Sequence, residues 1–160
     1  MYNKIIRDDL DSAFESIENG DMSSFCNAIT TLGSIVDSAL KDFFNTYIHT
    51  FSQEDFEEIM KCKNKGNYKN PEFDKFTLGL KLGFLRNSKF IEKLGAKHNK
   101  PFNNTLKMLK DNSSHSFVSI RNKATHTRED CIIDRDLIIK QYNLVASVLN
   151  ELGFEEIYDY

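Results

Sequence analysis

The sequence predicts an all-α fold, a single bundle of about five to seven helices spanning residues 1–160. Three observations carry that prediction. Apolar residues recur at helical spacing through most of the chain. Only one segment alternates as a strand would, and it has no second alternating run to pair with. The 160 residues include just 2 Pro and 7 Gly, so few positions interrupt a helix.

The elements follow in order. Ile5, Ile6, Leu10, Ala13, Phe14 and Ile17 form the first apolar stripe, and Gly20 ends it. Asp21 is placed to cap a second helix. Phe25, Ala28, Ile29, Leu32, Ile35, Val36, Ala39, Leu40 and Phe43 continue that helix as one stripe to Ile48. Ser52 with Asp55 resembles a capping box with Asp in the usual Glu or Gln position, and it opens a short helix to Met60. Lys61 to Asn70 is polar and basic and contains Gly66, which predicts a loop. Asn70-Pro71 supplies a cap and a first-turn proline.

The stretch Phe76 to Leu85 fits both periods. Phe76, Leu78, Leu80, Leu82 and Phe84 alternate, yet Phe73, Phe76, Leu80 and Phe84 also lie on one helical face. Helix is the expectation, because a lone strand has no ladder to join. Gly79 and Gly83 then sit one turn apart, each costing about 1 kcal/mol against Ala. Close approach of another helix, in the same chain or a second subunit, would offset that cost. Asn99-Lys100-Pro101 punctuates the chain, and Leu106, Met108 and Leu109 begin a further helical stretch. Asp111 to Ser114 interrupts it, and Phe117, Val118 and Ile120 resume it. Asp134 or Asp136 caps a last helix through Leu137, Ile138, Tyr142, Val145, Ala146, Leu149 and Leu152, with Gly153 as its stop.

Composition narrows the function classes. The apolar set is 40% and charged residues 28%, which suits a packed domain rather than a disordered or collagen-like chain. No run approaches the roughly 20 apolar residues of a membrane span. The first residues turn acidic at Asp8 and Asp9, where a signal peptide would turn apolar. Cys26, Cys62 and Cys131 are odd in number and form no CxxC pair, so a reduced cytoplasmic protein without a disulfide framework or zinc finger is expected. No metal-ligand spacing and no glycine-rich phosphate loop is present, so neither metal nor cofactor is expected.

The formal net charge of −3 hides a strong segregation. Residues 1–60 carry 3 basic and 12 acidic side chains, residues 61–110 carry 13 and 3, and residues 111–160 carry 5 and 9. The basic middle contains Lys61, Lys63, Lys65 and Lys69 around Gly66, then Lys75, Lys81, Arg86, Lys89, Lys93, Lys97 and Lys100. Such a belt attracts phosphates and makes binding salt-dependent. It can equally pair with the acidic first third.

Ser119-Ile120-Arg121-Asn122-Lys123-Ala124-Thr125-His126 is the stretch with chemical content. RNA carries its own nucleophile, the 2′-hydroxyl beside each phosphate. Cleaving it requires a group that moves protons and a fixed cation for the charge on phosphorus. Histidine suits the first task and arginine, forking onto two phosphate oxygens, the second. Asn122 can hold the phosphate or orient His126. Lys123 and Arg128 add positive charge beside the pair, and Lys61, Lys63, Lys65 and Lys69 are candidate substrate-binding residues.

Arg121-Asn122-x-x-x-His126 resembles the R-x(4–6)-H signature of the HEPN superfamily, in the subset written R-N-x-x-x-H. The resemblance implies a compact helical bundle that forms a homodimer, with the Arg and His of two protomers meeting in one composite cleft. It implies a metal-independent endoribonuclease that leaves 2′,3′-cyclic phosphate ends, of the toxin or antiphage-defence type, with RNA as substrate. Arg121 and His126 would be catalytic and Asn122 would assist. An antitoxin or activating protein is an expected partner. One branch shows R-x(4)-H-x-Tyr, whose Tyr is modified by a nucleotidyltransferase antitoxin; here that position is Arg128, so that regulation is not expected. Residues five apart on a straight helix sit roughly 140° apart, which a composite site or a helix end at the motif would relieve.

Two alternatives remain open at the level of sequence. One is a non-catalytic HEPN module binding RNA, nucleotide or a protein partner. The other is a helical regulator or immunity-type protein whose acidic N-terminal face, with Asp8, Asp9 and Asp11, meets a basic partner.

Overall fold

The structure is a computed structural model that describes residues 4–48, 50–61, 77–85, 87–98, 109, 116–126 and 132–154. Those residues form α1 (Lys4–Asn19), α2 (Met22–Ile48), α3 (Gln53–Lys61), α4 (Leu78–Leu85), α5 (Ser88–His98), α6 (Phe117–His126) and α7 (Arg135–Glu151). The described residues contain no strand, so the architecture is an all-α bundle. The predicted loop from Lys61 to Asn70 does not begin at Lys61, which is the last residue of α3; the rest of it, the Asn70-Pro71 helix start, the Asn99-Lys100-Pro101 break and the Asp111 to Ser114 interruption lie outside the described residues.

Helix α2 is the axis of the bundle. It is 27 residues long, about 40 Å at the usual rise. It packs against α1, α4, α6 and α7, while α3 lies on α5, α5 on α4, and α7 on α1. Every residue of its predicted stripe, from Phe25 to Phe43, is buried. An axial helix has neighbours on several sides, which is why its apolar face is wide. On α1 the buried set is Ile6, Leu10, Ala13 and Ile17, one clean helical row. Ile5 and Phe14 leave that row: Ile5 is 71% exposed and Phe14 40%. Ile5 stands one residue, roughly 100°, from Ile6 and so points off the core face.

The predicted caps form. Asp21 Oδ1 accepts from the Ser24 amide at 2.7 Å. The Ser52 amide donates to Asp55 Oδ2 at 2.7 Å and the Asp55 amide to Ser52 Oγ at 3.2 Å, a reciprocal capping box built with Asp. Of the two candidates for α7, Asp134 is the cap, accepting from Leu137 N at 2.8 Å, and Asp136 lies in the first turn. The exit of α7 is a Schellman motif. Gly153, at φ 88°, donates to Asn150 O, and the Phe154 amide reaches back to Leu149 O at 3.1 Å.

A break between α4 and α5 has no counterpart in the predicted elements. Asn87 makes it. Its Oδ1 accepts from the Lys89 amide at 2.9 Å, capping α5, and its Nδ2 donates to Ile59 O at 3.1 Å, tying α5 to α3. The rings of Phe44, Phe84, Phe90 and Phe51 run as a chain with centroids 5.3–5.6 Å apart, joining α2, α4, α5 and the turn before α3. Such pairs contribute about 0.5–1.5 kcal/mol each beyond burial. Gly79 and Gly83 are half-buried on α4, which packs on α2 and α5.

Charge segregation resolves partly into internal pairing. Lys81 on α4 bonds both carboxylate oxygens of Asp37 on α2 at 2.8 Å. Lys93 on α5 meets Asp55 at 2.8 Å and Glu58 at 2.9 Å on α3. In both cases a basic-belt lysine is matched to a carboxylate of the first sixty residues. Lys89 pairs within its own helix, with Glu92 at 3.1 Å.

The Lys93 contacts fix a pH dependence. The hydrogen bond and charge of Lys93 hold the Glu58 carboxyl below its ordinary range, and the hydrogen bonds to Asp55 and Glu58 hold the Lys93 ammonium above its own. A lowered acid contributes stability above its unfolded value and loses it as pH falls through the folded one. A raised base contributes below its unfolded value and loses that as pH rises through the folded one. The pair is therefore fully effective near neutrality. Glu58→Gln is expected to lower the urea midpoint at neutral pH by a small amount, since Glu58 is half in solvent. The gap to the parent protein should close in acid. A gap that persists once carboxylates are protonated would mean that Glu58 acts by packing instead.

Candidate functional site

The motif occupies α6, which runs without interruption from Phe117 to His126. Ser116 opens the helix, its Oγ accepting from the Ser119 amide at 3.3 Å. Phe117, Val118, Ile120 and Ala124 are buried and seat α6 on the bundle. That row sets the orientation of the remaining residues. Arg121 is half-buried, while Asn122, Lys123, Thr125 and His126 are exposed.

Arg121 lies across α2 at Gly33. A Cβ placed on Gly33 would stand 2.7 Å from Arg121 Cγ, 2.9 Å from Nε and 3.3 Å from Cδ. Glycine in the interior of a helix costs about 1 kcal/mol against Ala, and the seat of the arginine is what that position provides here. Arg121 Nε is buried and has no hydrogen-bond partner among the described residues. At the exposed end, Nη1 donates to Asn122 Oδ1 at 3.2 Å. Among the described residues, no carboxylate forms an ion pair with the guanidinium, although 12 of the first sixty residues are acidic.

Asp37 follows Gly33 by one turn of α2, so the two face the same way. Arg121 from α6 and Lys81 from α4 therefore meet α2 on adjacent turns. The Lys81 side chain is 3% exposed and that of Asp37 40%, so the carboxylate is the open end of this pair.

His126 is the last residue of α6. The helix end lies at the motif, and the histidine is exposed, with no hydrogen bond or ion pair among the described residues. Its place in the last turn, with Lys123, suits the negative end of the helix dipole. The structure thus bonds Arg121 to Asn122, and His126 makes no hydrogen bond to either. Asn122 steadies the arginine rather than the histidine. Thr125 is occupied by its own helix, donating from Oγ1 to Arg121 O at 2.9 Å.

The other sequence-predicted residues distribute as follows. Lys123 is exposed on α6 beside the motif. Arg128, Lys63, Lys65, Lys69 and the side chain of Lys61 lie outside the described residues. On α1, Asp8 and Asp11 are exposed and Asp9 is half-buried. Lys81 and Lys93, part of the basic belt, are engaged by carboxylates. Cys26 is buried in α2 and is in no disulfide. Among the described residues, no group of three or more His, Cys, Asp or Glu is arranged to hold a metal. No helix among them is long and apolar enough to cross a membrane.

Gly33 is the site residue that sequence reading missed. Its signal was present, a glycine inside the longest apolar stripe of the chain, but its partner lies 88 positions away. No family model matches the chain, no curated protein matches it, and no solved structure matches it.

Proposed function

We propose that the chain is a metal-independent endoribonuclease of the HEPN type, acting as a homodimer in the cytoplasm as a toxin or antiphage-defence component. The observation that carries this reading is the state of Arg121. Its stem is set against α2, its Nη1 is braced by Asn122, and no described carboxylate neutralises it. A guanidinium is charged at every physiological pH, so this one is a ready anion site. An exposed histidine ends the same short helix.

In this reading the 2′-oxygen attacks the adjacent phosphorus. The O2′–P bond forms as the P–O5′ bond breaks, giving a 2′,3′-cyclic phosphate and a 5′-hydroxyl. His126 takes the 2′-hydroxyl proton. The departing 5′-oxygen takes up a proton from an imidazolium, that of the second copy in the composite cleft. Arg121 binds the non-bridging oxygens, whose charge grows in the transition state. Lys123 adds field at the rim.

End-labelled single-stranded RNA, incubated with the protein in excess EDTA, tests this. Wild type is expected to cleave it and leave 2′,3′-cyclic phosphate ends, and Arg121→Ala to lose about 10²–10³-fold in rate. Salt-sensitive RNA binding without new ends would replace the enzyme by a binding module. Equal cleavage by both proteins would remove Arg121 from the site.

A further inference from the structure

We propose that Gly33 is a positioning residue for Arg121: the notch it leaves in α2 holds the Nε edge of the guanidinium inward and presents the Nη end to a phosphodiester. This rests on the reading of Arg121 as the phosphate-binding group. The argument is steric. The atom nearest the missing Cβ is Arg121 Cγ, at 2.7 Å, below any ordinary carbon contact. Cγ is fixed by χ1 alone, so it cannot yield by flexing at the tip of the side chain. Relieving the clash means leaving the χ1 well, and a helix offers few others. The guanidinium, three bonds further out, then swings through several times the displacement of Cγ.

The buried Nε has a chemical consequence. An arginine can fork onto phosphate through Nε and one Nη, or through both Nη atoms. With Nε out of reach of water and unpartnered among the described residues, the first mode is closed. Nη1 lies at the exposed end and is oriented by Asn122 at 3.2 Å. The phosphodiester is therefore engaged end-on, through the Nη atoms at the exposed end. Gly33 and Asn122 hold the two ends of one side chain, and neither needs to touch substrate.

Four proteins decide this: wild type, Gly33→Ala, Arg121→Ala and the double variant. Misplacing a catalytic group by about 1 Å can cost 10²-fold, so Gly33→Ala is expected to lose roughly that much in kcat/KM for RNA cleavage. In the Arg121→Ala background the same change should cost nothing further in cleavage. There it should raise the melting midpoint, because a helix-interior glycine has been replaced and the three atoms nearest the methyl are gone. In wild type it should lower the midpoint. The Arg121 Nε–H resonance, assigned by its loss in Arg121→Ala, should exchange slowly with solvent in wild type and rapidly in Gly33→Ala.

Equal cleavage losses in both backgrounds, or an Nε–H that stays protected in Gly33→Ala, would overturn the proposal. If Gly33→Ala fails to fold, the double variant decides. A folded double variant traces the defect to Arg121, and an unfolded one assigns Gly33 to another contact. If wild type cleaves no RNA, the endoribonuclease reading falls separately, and the exchange and melting measurements still decide whether Gly33 places Arg121.

Discussion

Asp37→Ala is expected to destabilise the protein by about 1–3 kcal/mol, the usual cost of taking a hydrogen-bond partner from a buried polar group. The reason is the asymmetry of its partner. Lys81 is 3% exposed at its side chain, and both Nζ contacts to Asp37 are 2.8 Å. Removing the carboxylate takes both of these 2.8 Å contacts from a buried ammonium in the interface between α2 and α4. The loss of that pairing exceeds the value of a surface ion pair, about 0–1 kcal/mol, because the lysine end is buried.

Lys81→Met is the informative comparison. Methionine keeps much of the stem volume, and the Asp37 carboxylate left behind is 40% exposed and can turn to solvent. That change is expected to cost far less than Asp37→Ala, and pairing it with Asp37→Leu to be neutral or stabilising. Urea unfolding of the three variants measures this. If Asp37→Ala and Lys81→Met cost the same, the lysine is not held by that carboxylate in the way the distances imply.

What could be read from sequence depended on the range of the interaction. Asp21, the Ser52–Asp55 box, Asp134 and Gly153 act on amides and carbonyls within five residues, so residue type and spacing reveal them. The stripe on α2 was legible because a helix with neighbours on several sides buries nearly every apolar residue it has. Ile5 and Phe14 were misplaced because apolar character alone does not say which side of α1 meets α2. Asn87 looked like any polar residue, yet its side chain both caps α5 and reaches the carbonyl of Ile59. Gly33 with Arg121 and Asp37 with Lys81 are the long-range cases, 88 and 44 positions apart. Their local mark, a glycine or an aspartate inside a stripe, is read as an interruption until the partner is placed. The basic belt was half legible. Its charge was plain, but whether Lys81 and Lys93 met phosphate or carboxylate depended on the packing of α4 and α5.

His126→Ala is expected to lower the rate of RNA cleavage by about 10²–10⁴-fold while leaving the fold intact. The two halves of that expectation come from the same place in the structure. His126 is exposed, and it ends α6 without a hydrogen bond or ion pair among the described residues. Deleting its ring therefore removes no core contact. The remaining cost is the charge–dipole contribution of a cation in the last turn, about 0.3–1 kcal/mol when the ring is protonated. A melting midpoint close to wild type beside a lost activity would place the histidine in the chemistry. Binding should survive, since Arg121 keeps its seat at Gly33 and its brace at Asn122. The loss should therefore fall on kcat, with KM little changed, as for a group that acts only in the transition state. Arg121→Ala should differ in kind. In the proposed reading it removes a contact to the phosphate both before and during the reaction, so KM should rise as kcat falls. Were His126→Ala to cleave at the wild-type rate with the same ends, the proton would have to move through another group, and the R-N-x-x-x-H resemblance would lose its catalytic meaning for this chain.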